Sequence, residues 1–172
     1  MENQVSMQKT MLTYGIIAAV LVIIISLANY SFGNLYKPHW IVTVLTYLVI
    51  IGSVIYAIKN YRDAGGYMNI SQGIKLGLGI MLVFAILKVI YLFLFTSVIE
   101  PEFMTNLQEF QRQLMYEKFP DMPEEQLEKS LEMSQKFTKP GMMYLMTIVL
   151  NLLAGLILGL IGGAIFKKEE QF

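Results

Sequence analysis

Residues 141–166 read GMMYLMTIVLNLLAGLILGLIGGAIF, a stretch without a single charged side chain. Crossing about 30 Å of hydrocarbon takes roughly 20 apolar residues at 1.5 Å of helical rise each. The stretch exceeds that length and stops at Lys167 and Lys168. It therefore predicts a transmembrane helix, and it places the chain among membrane proteins.

Three further stretches meet the same criterion, at about 10–30, 40–58 and 74–99. No charge occurs between Lys9 and Lys37, whereas the third stretch carries Lys88 in its interior. The sequence therefore predicts an all-α integral membrane bundle of four transmembrane helices, forming one membrane domain over residues 1–172.

The first stretch also has features of a signal peptide. Lys9 supplies a positive charge before the apolar run, and Ser26-Leu27-Ala28 has the small residues of a cleavage site. Its apolar run is long for a signal peptide and has spanning length. The four-span interpretation is therefore favoured over cleavage.

Composition excludes several classes of protein. Of 172 residues, 55% are hydrophobic, 15% are charged and none is cysteine, and the formal net charge is zero. A soluble domain has about 25% charged residues. These values exclude a disordered chain, a disulfide scaffold and a cysteine zinc site. No basic face stands out, so nucleic acid is not an expected partner.

The distribution of lysine and arginine predicts the orientation. With the amino terminus inside, the inner flanks hold most of the short-loop cations: Lys9, Lys59, Arg62, Lys75, Lys167 and Lys168. The first outer loop holds only Lys37, and the segment from Glu100 to Lys139 has five basic and nine acidic residues. Both termini are therefore predicted to be cytoplasmic.

The segment at 100–140 is predicted to be an amphipathic helical hairpin outside the membrane, inserted between the third and fourth spans. Its first helix has an apolar face of Phe103, Leu107, Phe110 and Leu114, extended by Met115 and Phe119. Pro120 and Pro123 end that helix, and a second helix carries Leu127, Leu131 and Ser134, with Met133 and Phe137 close by. The apolar faces either pack on each other and on the bundle, or contact a partner protein or the lipid interface. The acidic charge of the segment argues against anionic lipid.

No catalytic or metal-binding constellation is visible. The single histidine, His39, lies next to Trp40 at the start of the second span, where both rings suit the membrane interface. The spans contain no Asp or Glu, which excludes intramembrane aspartyl proteolysis. We therefore predict no enzymatic activity, no cofactor and no metal.

Lys88 is the one charged residue deep within a span. It lies about 12 residues, or ~18 Å, into its helix, near the hydrocarbon centre. A charged lysine there costs on the order of 2.5–3.5 kcal/mol. Either it faces polar groups inside the bundle, or desolvation favours its neutral form. Asn151, Thr46 and Tyr47 are the candidate polar neighbours. Such a lysine serves either as a functional group or as a structural anchor.

Glycines at four-residue spacing mark the helix contacts. The fourth span has Gly155, Gly159 and Gly163, and the third begins with Gly73 and Gly77. Small residues at this spacing let two helix backbones approach closely in lipid. The pattern favours packing of the third span on the fourth, with homodimerisation through the fourth span as the alternative.

The loop at 60–72 is predicted to contain a turn at Gly65-Gly66, and Ser71 is predicted to cap the helix that follows. It lacks the Gly-Lys-Ser/Thr of a phosphate-binding loop.

Four short motifs resemble one bacterial membrane family. They are YRD at 61–63, GYMNISQG at 66–73, KLG at 75–77 and VIEPEF at 98–103. With the acidic hairpin and the glycine-rich last span, they resemble the domain of unknown function four-one-nine-nine of Bacteroidetes-type bacteria. The resemblance implies a small four-span inner-membrane protein, and it implies no activity, ligand or catalytic residue.

Two functions follow as hypotheses. The first is a non-enzymatic accessory or scaffold protein that binds a membrane-protein partner, or a second copy, through the hairpin and the glycine-rich helix. The second is a transporter or channel subunit that uses Lys88 and neighbouring polar groups. In both, the lipid bilayer is the surrounding medium.

Overall fold

The computed structural model describes residues 6–33, 35–65 and 68–167. Its elements are six α-helices and one short π-helical segment, which confirms the all-α prediction. The α-helices are α1 (Met7–Ser31), α2 (Trp40–Gly65), α3 (Ile70–Leu94), α4 (Phe103–Lys118), α5 (Glu124–Thr138) and α6 (Pro140–Ile165). Four of the helical segments are long and apolar enough to span a membrane: α1, α2, Ile70–Ile99 and α6.

Two helices extend beyond the apolar stretches that predicted them. α2 continues through Lys59 and Arg62 to Gly65, and α3 begins at Ile70. Hydropathy marks the part of a helix that suits hydrocarbon, whereas lysine and arginine remain good helix formers. The predicted spans are therefore shorter than the helices. Gly66 and Tyr67 of the predicted turn and family motif, and Lys168 of the predicted orientation, lie outside the described residues.

The chain divides into two compact units. The first contains the described residues up to Lys88 and those from Ile148 onward, and the second contains Val89–Thr147. The core of the first unit consists of apolar side chains from α1, α2 and α3. They include Ala18, Val22, Val54, Ala57, Ile58, Leu76, Ile80, Met81 and Phe84.

α1 is held in the first unit by contacts with α2 and α3. The rings of Tyr14 and Tyr56 meet edge to face with centres 5.9 Å apart, and Asn60 Nδ2 donates a 3.0 Å hydrogen bond to the Tyr14 hydroxyl. Gly15 brings α1 onto α3, since a Cβ atom there would lie 2.8 Å from the carbonyl oxygen of Ile80.

The outward surfaces of the spanning helices are apolar. Exposed side chains include Leu21 and Ile24 on α1, Leu48 on α2 and Ile157 on α6. In water such a surface would be unfavourable, but in a bilayer it contacts lipid tails. The molecule therefore has the features of a membrane protein, with four helices that are long and apolar enough to span the bilayer.

Within the second unit, the helix type changes after Leu94, where α3 ends. Phe95–Ile99 is a π-helix, closed by a 2.8 Å hydrogen bond from the amide of Glu100 to the carbonyl of Phe95. Pro101 follows, and a proline disfavours α-helical geometry at the residue before it. The Phe95 ring lies 5.7 Å from the rings of both Tyr91 and Phe103. These aromatic contacts join the end of the third span to the start of α4.

Candidate functional site

The first candidate feature is the contact between α3 and α6, where glycines remove the side chains from between two helices. A Cβ atom at Gly73 would lie 2.5 Å from Gly163 Cα and 2.6 Å from Gly159 O. A Cβ atom at Gly155 would lie 2.6 Å from Gly77 O. We call these five residues the glycine seam. Only glycine allows backbones to approach so closely.

The glycine seam has its partner within the chain. The glycine face of α6 lies against α3, so a second copy would have to displace α3 before it could use that face. Gly15 likewise allows α1 to approach α3 closely, a contact that was not predicted from the sequence. The available signal was a lone glycine followed one turn later by Ala18 and Ala19.

Lys88 lies on the same side of α3 as the glycine seam. Steps of four, four, three and four residues lead from Gly73 through Gly77, Met81 and Phe84 to Lys88. Residues at these spacings share one side of an α-helix. The register therefore places the lysine in line with the contact between α3 and α6.

The Lys88 side chain runs back along its own helix. Its Nζ atom lies 5.7 Å from the centre of the Phe84 ring, one turn earlier. A cation over an aromatic face gains roughly 0.5–2 kcal/mol, depending on desolvation. Within the part of the chain that the structure describes, Nζ has no hydrogen-bond or ion-pair partner. Phe84 is a neighbour that sequence reasoning missed, although its i, i+4 spacing from Lys88 was visible.

The polar neighbours suggested for Lys88 occupy different environments. Thr46 Oγ1 donates a 2.9 Å hydrogen bond to the Val42 carbonyl of its own helix. Tyr47 is 61% exposed on α2, and Asn151 is partly buried on α6.

The start of α3 is fixed by a reciprocal pair of hydrogen bonds. The Gln72 amide donates to Asn69 Oδ1 at 2.8 Å, and the Asn69 amide donates to Gln72 Oε1 at 3.0 Å. This is a capping box, which satisfies two amides that the first helical turn leaves without partners. The prediction that Ser71 caps this helix is wrong, because the helix begins at Ile70 and Asn69 is the cap.

Arg62 connects α2 to the end of α6. Its guanidinium donates to Asp63 Oδ1 at 2.6 and 2.8 Å, and its Cζ lies 5.3 Å from the centre of the Phe166 ring. An ion pair that is partly exposed contributes at most about 1 kcal/mol. The contact with Phe166 connects the two helix ends.

The donor atoms needed for a metal site do not come together in the described ranges. No three His, Cys, Asp or Glu side chains there could hold a metal ion. His39 Nδ1 accepts a long, 3.4 Å hydrogen bond from the Ile41 amide, and its ring centre lies 5.9 Å from that of the exposed Trp40.

α4 and α5 are amphipathic helices that contact each other in the second unit. Leu127 and Leu131 are buried, and Ser134 Oγ donates a 3.0 Å hydrogen bond to Gln111 Oε1 across the pair. Phe103, Leu107, Phe110 and Leu114 are each partly buried. Other apolar side chains of the pair are exposed: Tyr116, Phe119, Met133 and Phe137.

A groove of about 270 Å³ lies between α4 and α5. Its lining consists of Arg112, Glu128, Leu131, Glu132 and Gln135. We call it the acidic groove, because two carboxylates face one guanidinium. Arg112 Cζ lies 5.8 Å from the centre of the Tyr116 ring.

Comparison with protein families gives one match. The model of the family described as "Protein of unknown function (DUF4199)" matches residues 13–168. The match confirms the resemblance drawn from the four short motifs. No curated protein and no solved structure matches the chain.

Proposed function

This chain belongs to the family described as "Protein of unknown function (DUF4199)", and we propose that it is a non-enzymatic accessory protein of a bacterial inner membrane. In this proposal α4 and α5 form a hairpin outside the membrane that binds another membrane protein. The glycine seam holds together the bundle that carries this hairpin. The observation that supports the proposal best is the acidic groove.

The groove suits a basic anchor residue of a partner. Its volume of about 270 Å³ accommodates one long side chain rather than a small-molecule substrate, since ligand pockets span about 300–1,000 Å³. Glu128 and Glu132 supply the negative charge, and Leu131 supplies an apolar floor. The segment from Glu100 to Lys139 has nine acidic and five basic residues, an excess of four negative charges. Such an excess favours fast encounter with a basic surface.

The orientation in this proposal has both termini in the cytoplasm. It rests on cations in or next to the end turns of the four long helices on the predicted inner side. These are Lys9, Lys59, Arg62, Lys75 and Lys167. Short flanks rich in lysine and arginine remain on the cytoplasmic side. The α4–α5 segment then lies on the exported side, where it meets partners from the other face of the membrane.

The alternative, a transporter or channel subunit, has less support. A transport path through this bundle would have to pass Lys88 and further polar groups at a similar depth. Tyr47 is exposed on the outward surface of α2, and Thr46 donates its hydroxyl hydrogen to the Val42 carbonyl of its own helix. An enzymatic role would need a cluster of catalytic groups, and the proposal assigns none.

Charge reversal in the acidic groove tests the proposed function. A photoreactive amino acid at Gln135 would be crosslinked in intact cells to whatever occupies the groove. We expect Glu128→Lys with Glu132→Lys to remove the crosslinked product and to abolish growth complementation. The matched control is Glu109→Lys with Glu117→Lys, which changes the charge equally at two exposed positions on α4.

The two double variants separate the outcomes. Loss in the groove variant alone supports a basic partner at this groove. Equal loss in both variants indicates a nonspecific effect of net charge, and full retention in both means that the groove binds nothing. Either of these results contradicts the proposal.

A further inference from the structure

α5 carries two large apolar side chains that the pairing with α4 leaves uncovered. Met133 is 62% exposed and Phe137 is 53% exposed, one helical turn apart. Both lie outside the four spanning segments, and Phe137 comes three residues before Pro140, where α6 begins. We call this the Met133–Phe137 face. The two side chains leave apolar surface that the rest of the helix pair does not cover.

The position of this face on α5 separates it from the acidic groove. At about 100° per residue, it is turned by roughly 120° from the buried line through Leu127 and Leu131. It is turned by roughly 140° from the groove residues Glu128 and Glu132. The carboxylates of Glu128 and Glu132 therefore lie on a different side of α5 from the Met133–Phe137 face. Contact along that face does not bury them.

Lysines border the face on its other edge. Lys129 and Lys136 follow Met133 around the helix, and Lys129 already pairs with Glu125 at 2.7 Å. Lys136 is exposed and makes no ion pair with a described residue. An apolar face with lysine at its edge is the arrangement of helices that lie in a lipid interface.

The face continues directly into a lipid-contacting surface. Lys139 is a single extended residue, with φ −60° and ψ 136°, between α5 and α6. Beyond it, Met142 and Leu145 are exposed on α6, which enters the bilayer. Phe137 lies two residues before Lys139, at most about 7 Å along the chain. The headgroup layer on one side of a bilayer is about 5–8 Å deep.

We propose that the Met133–Phe137 face of α5 lies in the lipid interface, with both side chains among the upper acyl carbons and Lys136 at the phosphate level. Lipid is favoured over a protein occupant by size, since a stable protein interface needs about 800 Å² on each side. Two side chains do not provide that area. Contact with lipid needs little intrinsic affinity, because α6 already holds α5 at the surface.

This inference extends the proposed function by fixing which side of α5 faces away from the membrane. With the Met133–Phe137 face in lipid, the acidic groove remains open to a partner. The inference does not depend on the partner, so it can be tested with the purified chain alone. A failure here would leave the groove experiment in intact cells unaffected.

The absence of cysteine from the chain makes site-directed spin labelling direct. A nitroxide would be attached to Met133→Cys, Phe137→Cys, Gln135→Cys and Leu145→Cys in nanodiscs of phosphatidylethanolamine and phosphatidylglycerol. Collision with oxygen, which enters lipid, is compared with collision with a polar nickel chelate. We expect labels at 133 and 137 to favour oxygen, the label at 145 to favour it more strongly, and the label at 135 to favour the chelate.

Each outcome either supports the placement of this face in lipid or contradicts it. If positions 133 and 137 behave like position 135, the face lies in water, and the inference is wrong. If both collision partners are excluded there, the face packs on protein, which also overturns it. A second variant, Phe137→Trp with Trp40→Phe, reports independently of the label. Its emission should be quenched by lipids brominated on shallow acyl carbons, and absence of quenching contradicts the inference.

Discussion

Gly77 and Gly155 face each other across α3 and α6 so closely that a methyl group on either would meet the carbonyl oxygen of the other. The contact is reciprocal, so neither helix can move away without opening the glycine seam. Close packing of this kind replaces the hydrophobic effect as the force between helices, because lipid tails are as apolar as leucine.

Gly77→Ala should therefore destabilise the bundle. The added Cβ would collide with Gly155 and would lie 2.7 Å from Gly159 Cα, both of them backbone. Overpacking of this kind costs about 1–3 kcal/mol. Thermal unfolding in mild detergent measures it, and Gly52→Ala on α2 is the control, since nothing lies within 4 Å of its Cβ position. Equal melting temperatures for the two variants would contradict the close backbone contact proposed for Gly77.

Asn69→Ala should weaken the start of α3. It removes the acceptor of the Gln72 amide, and loss of such a cap costs about 0.5–2 kcal/mol. Ser71→Ala is the matched control, because Ser71 is exposed and lies inside the first turn. Asn69→Asp should retain most of the stability that Asn69→Ala loses, since a carboxylate oxygen can accept the same hydrogen bond from the Gln72 amide. A larger loss in Ser71→Ala than in Asn69→Ala would show that the cap is elsewhere.

Lys88→Leu should keep or raise the stability of the bundle. The change forfeits the contact with the Phe84 ring, worth roughly 0.5–2 kcal/mol, but it removes the larger cost of holding a charge in hydrocarbon. Lys88→Glu should unfold more readily than the wild-type chain or Lys88→Leu, since the nearby face of the Phe84 ring repels a carboxylate. Melting temperatures and growth complementation are measured for all three proteins. If Lys88→Leu unfolds the chain and abolishes complementation, the lysine is a structural anchor rather than a functional group.

Single cysteines should report the orientation of the chain. Gly65→Cys lies at the end of α2, and Asp121→Cys lies between α4 and α5, both at exposed positions. With an impermeant maleimide added to intact cells, we expect labelling at 121 and protection at 65. Permeabilised cells, in which both react, provide the control. The reverse pattern in intact cells would invert the proposed topology.

The sequence predicted the spanning helices well, because their signal is the length of an uncharged run, as at residues 141–166. It predicted helix ends less well, since hydropathy ends at Ile58 whereas α2 runs on to Gly65. The cap of α3 was misplaced because Ser71 and Asn69 are both good capping residues, and only the backbone geometry selects between them.

The surroundings of individual side chains were harder to predict. The depth of Lys88 follows from counting residues, but its ring contact with Phe84 depends on rotamer choice. Met133 and Phe137 were grouped with the apolar residues of their helix, whereas they lie on a different flank from the buried Leu127 and Leu131. A small rotation of an amphipathic helix decides which of its apolar residues are covered.

The glycine seam also sets an order of events during synthesis. Gly77 and Gly155 are separated by 78 residues (155 − 77), and translation at roughly 5–20 residues per second takes about 4–16 s to cover that distance. Until α6 has been made, the glycine face of α3 lacks the helix that covers it in the folded bundle, while α1 and α2 can already pack. The bundle can close only after its last helix has been made, so a chain that stalls before α6 leaves the glycine face of α3 uncovered.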